Sequence, residues 1–262
     1  MQLAVQLYSL RHLETSLLDL LELVSETPFE GVEFAGLDDT DPKAVAETLG
    51  ATELEPVAAH VAIEDLEADS DAVAETYRRL GCNHLVVPWL EPDRFETRTA
   101  VRETAGRLAT LGEALADHDV TLSYHNHDQE FVSLEPAPVD GDAPDGTTAN
   151  ENDAVAALDV LAAELENSPV GFELDLGWTV AAGGDPMALL ERYGDRIELV
   201  HLKDVDGDRP CALGDGDVPL EACVDAARDA DVEWLIYEHD DPTDPKRALQ
   251  RDGARASALR GE

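Results

Sequence analysis

A single-domain α/β fold closed into a (β/α)8 barrel is what this amino-acid sequence predicts, and three observations predict it. Runs rich in Val, Ile and Leu alternate with amphipathic Ala- and Leu-rich stretches from one end of the chain to the other. There are eight such runs in 262 residues, and a closed barrel of this kind needs about 250. Uncommon polar side chains, histidines above all, gather where those runs end. Strict strand–helix alternation favours a parallel sheet with right-handed crossovers, and eight repeats favour its closure.

The strand-like runs are LAVQLYS (3–9), GVEFAG (31–36), EPVAAHV (55–61) and HLVVPW (84–89), followed by TLSYHNH (121–127), VGFELDLGW (170–178), IELVHLKD (197–204) and EWLIYEHD (233–240). The segment after the first, SLLDLLELVSE (16–26), places Leu17, Leu20, Leu21 and Val24 at i, i+3, i+4 and i+7, one apolar helical face. The longest helix-like segment spans about 99–118, and AVAALDVLAAELE (154–166) is nearly as plain. Asp–Pro pairs at 41–42, 185–186 and 244–245 each put a capping acceptor before a proline at a first helical position. Only EPAPVDGDAPDGTTANEND (135–153) breaks the rhythm. Rich in Pro, Gly, Asp and Thr, it reads as a mobile loop after the fifth strand.

Composition narrows the function classes. The chain is 44% hydrophobic, enough for a core, and no window approaches the roughly 20 apolar residues of a membrane span. MQLAVQLYSL lacks the basic start and cleavage site of a signal peptide, so a soluble cytoplasmic protein is expected; the sequence leaves homo-oligomer formation open. Three cysteines without a CxxC pair argue against a disulfide framework and a thiolate zinc site. The net charge of −40 disfavours nucleic-acid binding, because a phosphate backbone needs a basic footprint. Asp and Glu are spread through the periodic segments, so the charge belongs to the folded surface. Self-repulsion of that size is screened within about 3 Å at 1 M salt, which points to a halophile's cytoplasm. The melting midpoint is expected to climb from dilute buffer to molar salt; an equal midpoint at both contradicts this.

In a barrel the C-terminal ends of the strands share one mouth, where active sites sit. Glu33 lies on the second run, His60 on the third, and His125 and His127 on the fifth. Asp175 is near the end of the sixth, His201 and Lys203 of the seventh, and Glu238 and His239 of the eighth. Two carboxylates with one or two imidazoles and no thiolate suit Mn²⁺, Mg²⁺, Co²⁺ or Zn²⁺. Each residue also has a plainer reading. Asp175 can cap a turn, His201 can be a core histidine, and Glu238 can be a solvated charge. Glu33 either accepts a substrate hydroxyl or pairs with Arg11. Trp89 and Trp178 are either walls for a sugar ring or packing residues. His60 and His127 suit hydroxyl binding. Lys203, one of three lysines beside fifteen arginines, suits a point charge for a substrate oxygen or a surface position. The glycines of LGDGD (213–217) and Gly183–Gly184 read as turn glycines, since no phosphate-binding motif accompanies them.

Together VQLYSLR (5–11), GVEFAG, YHNHDQEF (124–131), LDLGWTVAAGGDP (174–186), HLKD (201–204), LGDGDVPL (213–220) and YEHDDPTDP (237–245) resemble the xylose isomerase-like TIM barrel superfamily, in its sugar phosphate isomerase/epimerase branch. The resemblance covers essentially the whole chain. It implies a divalent metal, most often manganese, held by Glu, Asp, His and Glu from strands five to eight. Carried over, the last three positions are Asp175, His201 and Glu238. The first departs from the pattern, with His125 in place of the glutamate and Glu130 as its rival. The resemblance further implies a sugar or keto-sugar isomerase or epimerase working through an enediolate on a small-molecule sugar. Glu238 would be the base, His127 or Glu130 the opposing group, and Lys203 and His60 would orient hydroxyls. A dehydratase or lyase acting on a keto-inositol or oxidised glycoside is the alternative, and a non-catalytic sugar-binding relative a third.

Overall fold

The computed structural model describes residues 1–135 and 155–261. The expected loop at 135–153, apart from Glu135, lies outside the described residues. Eight parallel strands close a barrel: β1 (Gln2–Gln6), β2 (Gly31–Phe34), β3 (Glu55–His60), β4 (His84–Val87), β5 (Thr121–His125), β6 (Val170–Asp175), β7 (Ile197–Leu202) and β8 (Trp234–Tyr237). Each neighbours the next, and β8 closes on β1. All eight expected runs are strands, and the chain is a single (β/α)8 barrel.

The helices around it are α1 (Leu17–Ser25), α2 (Pro42–Thr52), α3 (Ile63–Arg78), α4 (Arg98–Ala116), α5 (Ala157–Glu164), α6 (Leu176–Ala181), α7 (Pro186–Tyr193), α8 (Leu220–Asp229) and α9 (Pro245–Arg260). The three Asp–Pro pairs start helices as expected. Asp41 accepts from the Lys43 N–H, Asp185 from Met187 and Ala188, and Asp244 from Arg247. The proline at N1 has no N–H to leave unpaired. None of the described helices is long and apolar enough to cross a membrane.

Two runs end earlier than their apolar character suggests. The first stops at Gln6, whose side-chain oxygen accepts from Tyr8 N at 2.9 Å and turns Leu7–Leu10 into a 3-10 helix. The sixth stops at Asp175, whose Oδ1 takes the Trp178 N–H at 2.7 Å and starts α6 within the expected strand.

Strand geometry sends alternate side chains to opposite faces. The outward ones join the helices in the main core, which includes Val5, Val32, Phe34, Leu122, Tyr124 and Val200. The inward ones form a small apolar plug of Ala4, Ala58, Val86, Leu199, Trp234 and Ile236. Two residues further along those strands the inward positions turn polar: Gln6, His60, His201 and Glu238. A register shift between Phe172 and Glu173 sets Asp175 level with His201, and His125 is level with Glu173. The plug thus forms the floor of a polar chamber at the C-terminal mouth.

Candidate active site

Six strands supply this chamber, with His60 of β3 at its edge. Glu33 (β2), His125 (β5), Glu173 and Asp175 (β6), and His201 (β7) are all buried, as are Lys203 and Glu238 just past β7 and β8. In the upper layer, Glu238 Oε2 lies 3.0 Å from His201 Nδ1. Asp175 Oδ2 lies 3.7 Å from His125 Nε2 and 3.9 Å from His201 Nδ1. His125, Asp175, His201 and Glu238 offer ligand atoms all within 4.8 Å of one another. In the lower layer, Glu173 Oε2 meets His60 Nε2 and His125 Nδ1, each at 2.9 Å, and His201 Nε2 at 3.2 Å. Glu33 Oε2 accepts from His201 Nε2 at 2.7 Å.

Lys203 extends its ammonium to Asp175 Oδ2 (3.0 Å), Glu238 Oε2 (2.8 Å) and Asp240 Oδ2 (2.8 Å). Trp178 lies beside it, with the ammonium 5.0 Å from the ring centre. Gly177 makes room for this arrangement, because a Cβ there would stand 2.7 Å from Lys203 Cγ. Gly177→Ala is therefore expected to cost about 1–3 kcal/mol, the usual range for overpacking, read as a lowered denaturant midpoint. A midpoint equal to that of wild type contradicts the close packing.

Charge and burial compete in this chamber. Burial pushes Glu33 up, the charge of Glu173 adds to it, and His60 and His201 only partly oppose, so its carboxyl sits at about 7. Burial also acts to raise Glu173 and Glu238. Around Glu173 the three imidazoles outweigh it, and around Glu238 Lys203 and His201 do, so both carboxyls lie well below their ordinary value. Burial depresses His201 and Lys203, yet the surrounding carboxylates win and hold both raised. His127 is lowered by burial, then by His125 and Lys203.

The donor set suits a divalent cation. Asp175 Oδ2 is buried beside the Lys203 ammonium but stands beyond hydrogen-bond distance of both upper-layer imidazole nitrogens, at 3.7 and 3.9 Å. Buried carboxylates crowded together are costly, and a cation between them and the imidazoles would offset that cost. Oxygen and imidazole donors with no thiolate match Mn²⁺, Mg²⁺, Co²⁺ or Zn²⁺.

A cavity of about 540 Å³ opens above the chamber, lined among others by His60, His125, His127, Glu238, Asp240, Tyr8 and Trp89. Trp89 and Tyr8 are 44% and 42% exposed at this cavity. A groove of similar size, about 560 Å³, runs outside the barrel along α7 and α8 and holds none of the strand-end residues. Volume does not separate the two, so the convergent donors identify the site.

Several expected residues take other places. Glu130 is buried on a turn after β5, accepting from the Tyr124 hydroxyl and, at 2.8 Å, from His127 N. It pins the strand end, and of the two rivals from strand five only His125 joins the donor cluster. Glu33 lies beneath His201 rather than in the cavity wall. Arg11 is not its partner, being stacked on Tyr8 at 3.8 Å. Trp178 covers Lys203 and His127 instead of lining the cavity. Lys203 is sunk among carboxylates, so no free charge is left for a substrate oxygen. His60 has given Nε2 to the carboxylates below, leaving Nδ1 for a ligand. The glycines of LGDGD wrap a buried carboxylate of the chain itself: Asp204 accepts from the N–H groups of Gly214 (2.8 Å), Gly216 (3.0 Å) and Val218 (3.1 Å). The sequence reading passed over Glu173 and Asp240. Each lies two positions from a residue it singled out, Asp175 or Glu238, on the same inward face.

Comparison with known proteins agrees with the architecture. Residues 21–259 match the model of the family described as xylose isomerase-like TIM barrel. The rhizopine catabolism protein MocC of Rhizobium meliloti is 29% identical over 175 residues, 61% of this chain and 47% of that protein. An inosose dehydratase of Clostridium beijerinckii is 30% identical over 104 residues, 40% of this chain and 28% of the enzyme. The matched stretches thus span less than half the length of these relatives. A sugar phosphate isomerase/epimerase structure from Parabacteroides distasonis superposes with a TM-score of 0.79 at 19% identity, over 99% of this chain and 94% of that one.

Proposed function

The chain belongs to the xylose isomerase-like TIM barrel family, and on that premise we propose that it is a metal-dependent isomerase or epimerase of a sugar or keto-sugar. The reaction would run through an enediolate. The observation that carries this reading is the convergence of His125, Asp175, His201 and Glu238 under a cavity whose wall also holds His127. These four residues would hold the cation, Mn²⁺ first, with Mg²⁺, Co²⁺ or Zn²⁺ as alternatives. When bound, it supplies Lewis acidity that polarises a substrate carbonyl and acidifies the adjoining C–H. Glu238 and His127 reach the cavity from β8 and β5, so one can take a proton from that carbon and the other return it. Lys203 holds Asp175 and Glu238 in place, and His60, Tyr8 and Trp89 meet the sugar's hydroxyls and faces.

A second reading, β-elimination by a dehydratase or lyase, has its own support. Glu130 is turned away, so the group from strand five that faces Glu238 is an imidazole, and one relative is an inosose dehydratase. Incubation with keto-sugars, Mn²⁺ and D₂O separates the readings. Deuterium gained at the carbon beside the carbonyl with the carbon skeleton intact is the expected result. Loss of water or aglycone selects elimination, and the absence of both exchange and elimination contradicts both readings.

A further inference from the structure

His125 and His201 each stand between the two layers of the chamber. His201 turns Nδ1 toward Glu238 and Asp175 and Nε2 toward Glu33 and Glu173. His125 turns Nε2 toward Asp175 and Nδ1 toward Glu173. We propose that Glu173 is a positioning residue that draws the N–H of both imidazoles, so that each presents a lone-pair nitrogen to the cation position between Asp175 and Glu238. The proposal rests on the metal-dependent reading above.

A neutral imidazole has one N–H and one lone pair, and the partner of one nitrogen decides which is which. An ionised carboxylate only accepts, and a cation that engaged Asp175 and Glu238 would leave the nitrogens facing Glu173 as the ones that carry the hydrogen. Glu173 Oε2 sits 2.9 Å from His125 Nδ1 and 3.2 Å from His201 Nε2, and Glu33 reinforces the second contact at 2.7 Å. That leaves His125 Nε2 and His201 Nδ1 as the ligand atoms, the two that face Asp175. Metal-bound histidines commonly give their other N–H to a carboxylate in this way.

His60, His125, Glu173 and His201 also lie within 4.8 Å of one another and make a rival cation position. The two sets share His125 and His201, and a neutral imidazole cannot ligate from both nitrogens, so only one set can be filled. The upper set has two carboxylates to the lower set's one. Each set has two members on the cavity wall, His60 and His125 in the lower and His125 and Glu238 in the upper, so the second carboxylate decides for the upper.

The test is titration of metal-free protein with Mn²⁺, following free Mn²⁺ by electron paramagnetic resonance. Wild type is expected to bind one ion per chain, and Glu173→Gln one ion about 10–100-fold more weakly, the usual effect of losing such a partner. Imidazole ¹⁵N spectra of Zn²⁺-loaded wild-type protein need no variant. They are expected to place the hydrogen on Nδ1 of His125 and Nε2 of His201. Equal affinity in folded Glu173→Gln, the opposite tautomers, or a second ion per chain that Glu173→Gln loses would each overturn the proposal. Wild type that binds no divalent cation overturns the metal-dependent reading itself, which distinguishes the two failures.

Discussion

Asp175→Asn is expected to lose divalent-cation binding and to lower turnover by roughly a thousandfold or more, while remaining folded. The two oxygens of Asp175 have separate duties. Oδ1 caps α6 through Trp178 N at 2.7 Å, and Oδ2 is buried beside the Lys203 ammonium at 3.0 Å, facing the proposed cation position. Asparagine caps a helix about as well as aspartate, so the substitution spares the fold and removes the charged ligand. Lewis-acid stabilisation is worth several kcal/mol, and about 1.4 kcal/mol is a factor of ten in rate, which gives the expected scale. Metal content by elemental analysis, circular dichroism and the D₂O assay together check it. A folded Asp175→Asn variant that keeps both its metal and its activity would remove Asp175 from the site.

Lys203→Met is expected to destabilise the metal-free protein by about 3–5 kcal/mol, the usual cost of removing one partner from a buried ion pair. In a chain of this size that is a fall of about 10 °C in melting midpoint. Methionine fills much of the space of the lysine stem, so the loss comes from charge. Asp175, Glu238 and Asp240 would keep their carboxylates within 3.0 Å of a position that no longer holds an ammonium. Added Mn²⁺ should recover part of the loss, since a cation beside Asp175 and Glu238 offsets the same repulsion. Calorimetry of wild type and variant, with and without Mn²⁺, reads both effects. A midpoint equal to that of metal-free wild type would mean that Lys203 does not balance these carboxylates.

The barrel and part of its site were legible because the signals are local. An Asp–Pro pair announces a helix start within a few residues, and eight Val/Ile/Leu runs separated by amphipathic stretches leave little choice of fold. The strand ends told which residues share the mouth, and His125, Asp175, His201 and Glu238 converge there. What was hidden depends on closure or on cross-chain contacts. Glu33 pairs with His201 from a strand 168 residues away in sequence, and nothing in GVEFAG announces that partner. Lys203 looked like a free charge because its acidic neighbours come from different strands. Glu173 was lost among 58 acidic residues, although the alternation that turns Asp175 inward also turns Glu173 inward. Glu130 folds back onto Tyr124 and His127, a short-range contact that no periodicity encodes.

The account turns on one cation shared by residues from four strands. Anomalous diffraction from a crystal soaked in Mn²⁺ tests it most directly. The expected result is one strong peak within bonding distance of His125, Asp175, His201 and Glu238. A site that stays empty at saturating Mn²⁺, or a peak bound elsewhere on the chain, would contradict it.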